Sequence, residues 1–301
     1  MEIYTDFAMF YDHFMDDVPY DEWGEFIREM LLTYGGQEDR AICDLQGKEP
    51  TKHPLVLDLG CGTGTMTEKL ASYGYDMIGI DSSSAMLEIA KNKEESSHHN
   101  ILYLQQDMRE FELYGSVTAV VCVCDSINYI LELSELKQVF CLVNHYLDPG
   151  GLFIFDFNTD YKYREVIGNQ TIAENRQDKS FIWENYYYQE EKINEMELSL
   201  FIKDGLYKGE AKMEFKRFDS DGVKNKLDNR SEVKSKPCEE KDNKGELYRK
   251  YKEIHYQRAY HLEEIKEALE EAGLEFIKAY DDYTCEEVHK DSQRVVVVAK
   301  K

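Results

Sequence analysis

Between Val56 and Thr65 the chain reads Val-Leu-Asp-Leu-Gly-Cys-Gly-Thr-Gly-Thr, with a carboxylate at Asp58 and glycines at 60, 62 and 64. Glycines at alternate positions between a strand and a helix let the backbone turn tightly and approach a ligand closely. The helix behind them offers unpaired N–H groups at its start. Asp81 closes the next apolar run about twenty residues on, where an acidic side chain meets ribose hydroxyls in nucleotide-binding sheets. Asp58 narrows the choice of ligand, because a carboxylate there repels a pyrophosphate and suits a positive amino group. Thr65 stands where a dinucleotide fingerprint needs its third glycine, which places a nicotinamide dehydrogenase last among the readings.

Other chemistry-bearing residues lie further along. Asp125-Ser-Ile-Asn128-Tyr129 follows an apolar run, and His255 and Arg258 in His-Tyr-Gln-Arg precede the last helical pattern. A pocket arginine favours a substrate with a carboxylate or phosphate. Cys122 and Cys124 form C-x-C with no second pair nearby, so no metal site is expected, and both read as small core residues.

These residues need a scaffold, and the hydrophobic pattern supplies one. Trp23, Phe26, Ile27, Met30, Leu31 and Tyr34 fall on one helical face, stopped by Gly35-Gly36. Short apolar runs then alternate with helical patterns: strands at 54–58, 77–80, 101–104, 117–123 and 152–157, with a helix at about 134–147 before the last. Such alternation predicts βαβ units and a parallel sheet covered by helices on both faces. The pattern breaks near Tyr161. Phe181–Tyr188, Glu195–Lys203 and Glu210–Phe218 are β-prone, with turns at Asp204-Gly205 and Asp221-Gly222, and predict an antiparallel insert. Helix His261–Ala272, capped by Gly273, and strands near 274–280 and 294–299 resume the first pattern. The expected organisation is a core over 1–160, an antiparallel β insert over 161–258 and the rest of the core over 259–301.

Sixty acidic against 36 basic side chains leave a net charge of −24, which repels phosphate backbones and anionic lipid. Residues 216–253 run against it, with 12 basic and 9 acidic side chains and few apolar anchors, and read as a solvated mobile loop. The apolar runs are too short to span a bilayer, and MEIYTDFAMF lacks a signal-peptide pattern. Seven scattered cysteines, several inside apolar runs, suit buried reduced thiols in a cytoplasmic protein.

Asp-Leu-Gly-Cys-Gly-Thr-Gly at 58–64, followed by Gly-Ile-Asp at 79–81, resembles the nucleoside-binding half of class I S-adenosylmethionine-dependent methyltransferases. Gln106-Asp107-Met108 is similar to the family's adenine-contact segment, and Asp148-Pro-Gly-Gly151 to its turn before the fifth strand. Phe7 to Met15, F-A-x-x-Y-D-x-x-M, resembles a bacterial small-molecule branch that includes sugar amine N-methyltransferases, in which an antiparallel insert after strand five forms a lid over the substrate. The resemblance covers nearly the whole chain apart from the charged loop. It implies a Rossmann-like seven-stranded α/β sheet with helices on both faces, plus the small antiparallel insert.

The resemblance also implies a site. Gly60, Cys61 and Gly62 would back the methionyl part of S-adenosyl-L-methionine, with Asp58 helping to hold its amino group. Asp81 would accept from both ribose hydroxyls, flanked by Ser82 and Met86. Asp107 would bind the adenine amino group, Met108 would donate its backbone N–H, and Tyr11 would close over the carboxylate. Cys124 and Asp125 lie where a backbone carbonyl faces the methionyl amine. Tyr129, His255 and Arg258 are the catalytic candidates, and a structural role lining the lid is equally open for each.

The implied reaction moves a methyl group to an amine or hydroxyl of a small-molecule acceptor and leaves S-adenosyl-L-homocysteine. The protein's share of that work is alignment and proton removal. Two alternatives stay open: a methyltransferase acting on tRNA or protein, and a non-catalytic S-adenosylmethionine-binding protein. A monomer or a homodimer is compatible with the sequence, and neither a nucleic acid nor a membrane is an expected partner.

Overall fold

A computed structural model describes residues 8–35, 53–176, 178–203 and 247–301. Two helices come first, α1 (Ala8–Phe14) and α2 (Tyr20–Tyr34). Strands and helices then alternate: β1 (Leu55–Leu59), α3 (Thr65–Ser72), β2 (Asp76–Asp81), α4 (Ser84–Ser97), β3 (Leu102–Gln105), β4 (Val117–Cys122), α5 (Leu133–Tyr146) and β5 (Leu147–Asn158). A π-helical turn at Lys162–Ile167 leads into β6 (Thr171–Asn175), β7 (Lys179–Tyr188) and β8 (Ile193–Lys203). The chain finishes with β9 (Tyr248–Arg258), α6 (Leu262–Glu271), β10 (Glu275–Asp281) and β11 (Arg294–Lys300).

Seven strands form one sheet in the order β10-β11-β5-β4-β1-β2-β3. β1 to β5 are mutually parallel, while β11 runs antiparallel to both β5 and β10. Period-two alternation sorts its side chains onto two faces. Phe153, Phe155, Phe157, Val295 and Val297 pack on one side with Leu136, Phe140 and Val143 of α5 and Ile265 and Leu269 of α6. Leu152, Ile154, Val296 and Val298 point to the other side, onto Phe26, Ile27, Met30 and Leu31 of α2 and Met66 and Leu70 of α3. The sheet direction of chain travel reverses at β1, whose neighbours are β2 and β4. Open α/β sheets bind ligands beyond the carboxyl ends of the strands at such a point.

β6, β7, β8 and β9 form a second, antiparallel sheet, in that order. It is held to the first by polar contacts: Asn128 Nδ2 donates to the carbonyls of Asn158 (3.0 Å) and Arg258 (2.7 Å), and Gln257 Nε2 donates to Asp125 (2.6 Å).

Three differences from the sequence reading are local. β5 begins at Leu147, ahead of the Pro-Gly-Gly turn, because a register shift after Val117 lets this segment continue the pairing with β4. Tyr248–Glu253, read as the end of a charged loop, lies on β9, and Cys141 and Cys285 are exposed while Cys61 and Cys122 are buried. The rest of the charged stretch up to 246, the turns at 204–205 and 221–222 and the strand expected at Glu210–Phe218 lie outside the described residues.

Among the described residues no helix is long and apolar enough to cross a membrane.

Candidate active site

Beyond the carboxyl ends of β1, β2 and β4 lies a cavity of about 300 Å³. Its floor is the glycine loop. The backbone N–H groups of Gly60 and Cys61 both donate to Ile80 O, at 2.8 and 2.9 Å, which ties the loop to the end of β2. Gly60 has φ +80, and a Cβ there would stand 2.9 Å from the Ser126 side chain. Gly62 has φ +54 and nothing within 4 Å of where a Cβ would point, so its backbone faces open space. A ligand can therefore lie directly against this backbone.

Two carboxylates hold the loop. Asp81 accepts from Gly62 N (2.9 Å) through one oxygen and from Ser83 N (2.8 Å) through the other. Burial raises its pKa in spite of those bonds. Asp58 sits on the α2/α3 side of β1 and is 1 % exposed. Thr67 Oγ1 donates to its Oδ2 at 2.6 Å, while its Oδ1 is buried with no hydrogen-bond partner among the described residues. Burial pushes the Asp58 pKa up to about 7. A buried carboxylate oxygen left with an open acceptor position matches a ligand carrying an ammonium group.

The remaining lining comes from several elements. Ser82 and Met86 stand at the start of α4, with Ser83 capping that helix by accepting from Met86 N (3.3 Å). Asp107 and Met108 follow β3. Arg109 Nε donates to Asp107 Oδ1 at 2.9 Å, its Nη2 pairs with the other oxygen, and its backbone N–H also reaches Oδ1 at 2.9 Å. These bonds from Arg109 hold the Asp107 carboxyl below the usual range. Tyr11, Tyr20, Cys124 and Tyr129 also line the cavity, together with Ile254 and Tyr256 of β9. Burial raises the Tyr11 phenol pKa well above its ordinary value.

Twelve of the fifteen residues singled out from sequence line this cavity: Tyr11, Asp58, Gly60, Cys61, Gly62, Asp81, Ser82, Met86, Asp107, Met108, Cys124 and Tyr129. Three do not. The Asp125 carboxylate turns behind the wall, where Arg294 Nη2 (3.1 Å) and Gln257 Nε2 (2.6 Å) donate to it. Arg258 is engaged by Leu131 O (3.2 Å) and Glu264 (3.6 Å), and its guanidinium lies over the Tyr260 ring. His255 is 1 % exposed and stands behind the lining, with the Tyr129 hydroxyl 3.3 Å from its Nδ1.

Residues not singled out from sequence complete the frame. Asp12, next to Tyr11, accepts from Thr63 Oγ1 (2.6 Å) and pairs with Lys93 Nζ (2.7 Å), pinning α1 across the glycine loop. Asp156 is fully buried on β5 and accepts from the backbone N–H groups of Cys124 (3.0 Å) and Asp125 (2.6 Å), and from Arg294 Nη1 (2.8 Å). It fixes a turn in which Cys124 and Asp125 both take positive φ, 59 and 52. A lone acid in the apolar run Phe-Ile-Phe-Asp-Phe-Asn was the available signal, since a buried carboxylate demands partners.

The family described as "Methyltransferase domain" matches residues 56–151, which holds the glycine loop, Asp81 and the Asp107 segment. The chain is 31% identical over 298 residues, 99% of both chains, to a protein of Geobacillus sp. (strain WCH70) named "Putative methyltransferase". It is 30% identical over 300 residues to "Putative methyltransferase YqeM" of Bacillus subtilis (strain 168), covering 99% of this chain and 97% of that one. Among solved structures, an S-adenosylmethionine-dependent methyltransferase from Clostridium acetobutylicum superposes with a TM-score of 0.73 at 26% identity, over 99% of this chain and 98% of that one. DesVI of Streptomyces venezuelae shares the fold, with a TM-score of 0.65 at 18% identity over 98% of each chain. Near-full-length identity to named methyltransferases, and the carboxylate-flanked glycine loop at the carboxyl edge of this sheet, lead to one conclusion: the chain belongs to the S-adenosylmethionine-dependent methyltransferases.

Proposed function

We propose that this protein binds S-adenosylmethionine in the cavity above β1, β2 and β4 and methylates an amine or hydroxyl of a small molecule. The observation that carries the reading is Asp58 Oδ1, a buried carboxylate oxygen with no partner among the described residues, at the floor of a cavity backed by open glycine backbone. The cofactor's ammonium group fits that acceptor. Further support for a small acceptor comes from a relative: over 116 residues, 38% of this chain, the sequence is 30% identical to a dTDP-amino-sugar N,N-dimethyltransferase of Streptomyces venezuelae.

When bound, S-adenosylmethionine supplies a methyl group on a sulfonium. The chain's residues orient it. Asp58 would hold the ammonium, and the backbone at Gly60 and Gly62 would back the methionyl chain. Asp81, with each oxygen already taking one backbone N–H, keeps lone pairs for the two ribose hydroxyls. Met108 N–H and Asp107 meet the adenine edge, Asp107 keeping acceptor capacity beside Arg109. Cys124 sits where the Asp156-fixed turn presents backbone towards the ammonium. Tyr11, Tyr20 and Tyr129 wall the acceptor end, which excludes water and aligns the incoming nucleophile. Isothermal titration with S-adenosylmethionine and S-adenosylhomocysteine tests the proposal: saturable binding of both is expected, and no heat from either would overturn it.

A further inference from the structure

The lid-side strand carries a row of buried polar groups that cofactor binding does not use. Glu253, His255 and Gln257 alternate along β9 and are 8, 1 and 6 % exposed. Gln257 has its partners in Tyr163 and Asp125, through hydrogen bonds of 3.0 and 2.6 Å. The other two form a line ending at the cavity. Glu253 Oε2 lies 3.3 Å from His255 Nε2, and His255 Nδ1 lies 3.3 Å from the hydroxyl of Tyr129, which lines the acceptor end. The Tyr129 and His255 rings meet edge-on, with centroids 6.0 Å apart.

The chemistry of the two ends fixes the middle. The Glu253 carboxylate stands 3.3 Å from Nε2 without the alignment of a hydrogen bond, and a negative charge that close in a buried site favours a proton on that nitrogen over a lone pair. In the neutral ring that leaves Nδ1 as an acceptor aimed at the Tyr129 O–H. We propose that Glu253 is a positioning residue that locks His255 in its Nε2–H form, so that Nδ1 can take the Tyr129 phenol proton while Tyr129 takes one from the methyl acceptor. The acceptor's N–H or O–H bond breaks and a new Tyr129 O–H forms. The former Tyr129 proton forms a bond to His255 Nδ1, and the imidazolium so produced lies against the Glu253 carboxylate. No proton or charge is unaccounted for: the acceptor loses one proton and the histidine gains it. This inference rests on the methyltransferase reading for its purpose, and on the geometry of β9 alone for its tautomer.

The test is nitrogen NMR of the full chain with labelled histidine, with and without S-adenosylhomocysteine, assigned by His255→Asn. Wild type should show a protonated Nε2 and a pyridine-like Nδ1. Glu253→Gln, whose side-chain carbonyl still accepts, should keep that tautomer. Glu253→Met should reduce the Nε2–H to Nδ1–H ratio by about tenfold or more, the size expected for removing a buried charge beside Nε2. Tyr129→Phe should move the Nδ1 signal and leave Nε2–H in place. A protonated Nδ1 in wild type, or an unchanged ratio in Glu253→Met, would overturn the assignment. Failure of S-adenosylhomocysteine to bind would leave the tautomer result standing and strike the methyltransferase reading instead.

Discussion

The two walls of the cavity are built on different plans. The wall formed at the ends of the parallel strands is made mostly of loops, with the buried Asp58 carried on β1 itself, and its backbone is bared by glycine. The other wall is made by a strand, β9, which turns Ile254 and Tyr256 to the cavity and buries Glu253, His255 and Gln257, rather than apolar residues, on its opposite face. On the first wall chemistry sits at strand ends, with Asp58 as a single interruption of the apolar β1 run that Thr67 partly satisfies. On the second, chemistry replaces the pattern itself, and burial has to be compensated by hydrogen bonds along the row.

If that contrast is right, the largest effect on binding belongs to the first wall. Asp81→Ala removes both backbone bonds that hold the loop at Gly62 and Ser83, together with the two acceptors proposed for the ribose hydroxyls. Each charge-assisted bond is worth roughly 1.5–3 kcal/mol, so affinity for S-adenosylhomocysteine should fall at least about a hundredfold by calorimetry. His255→Asn on the second wall should leave that affinity within about threefold, since His255 stands behind the lining. Equal losses from both variants would erase the distinction.

The same contrast explains what the sequence made legible. Strands β1, β2, β4 and β5 are apolar runs bounded by turn residues, and their buried faces alternate as the pattern requires. The glycine loop, Asp58 and Asp81 stand out because residue type and spacing alone specify their geometry. β9 was invisible for the opposite reason. Arg249, Lys250 and Lys252 are exposed, and the buried positions are the polar Glu253, His255 and Gln257, so no apolar alternation survives to mark a strand. Arg258 illustrates a further limit, because its nearness to a site in sequence says nothing about where its guanidinium finds acceptors. Asp156 was legible only as an anomaly, an acid within an apolar run, and its partner Arg294 lies 138 residues away.

A smaller effect, on stability, comes from the support behind the cofactor wall. Asp156→Ala would leave Arg294, which stacks over Trp23 at 5.0 Å, buried against Asp125 without its principal carboxylate. Breaking a buried pair in this way costs about 3–5 kcal/mol, readable as a lowered urea midpoint. An Asp156→Leu/Arg294→Met double variant should recover most of that stability and still bind poorly, since the Cys124–Asp125 turn loses its backbone acceptor. Recovery of both would show that the turn needs no carboxylate.

Asp58 gives a pH signature. Its folded pKa of about 7 lies above its ordinary value of 3.8, so the free protein holds this proton more tightly than the unfolded chain does. The sign follows: this contribution is present at low pH and is lost as pH rises from about 4 to 7, on the order of 4 kcal/mol in total. Asp58→Asn should therefore flatten the decline in stability between pH 5 and pH 8 relative to wild type. An ammonium ligand favours the charged carboxylate, so binding at pH 6 to 7 should release a fraction of a proton that disappears above pH 8. Calorimetry in buffers of different ionisation enthalpy reads this directly, and pH-independent release shared by Asp58→Asn would remove Asp58 from the ammonium site.

The smallest effect belongs to Asp12, where the cofactor wall reaches the surface. Its carboxylate ties α1 to Thr63 and to Lys93, but it is 37% exposed and the lysine 30% exposed, so solvent screens the pair. Asp12→Ala should weaken S-adenosylhomocysteine binding by about three- to tenfold, through a looser Tyr11 rather than a lost ligand contact. Because the pair is charged and part-exposed, the gap between wild type and variant should narrow as salt is raised. Asp12→Asn separates the two contributions, since its amide oxygen still accepts from Thr63 while the charge opposite Lys93 is gone. A loss in the Asn variant as large as in the Ala variant would assign the effect to Lys93, whereas near-native affinity would assign it to the hydrogen bond that holds α1 on the glycine loop.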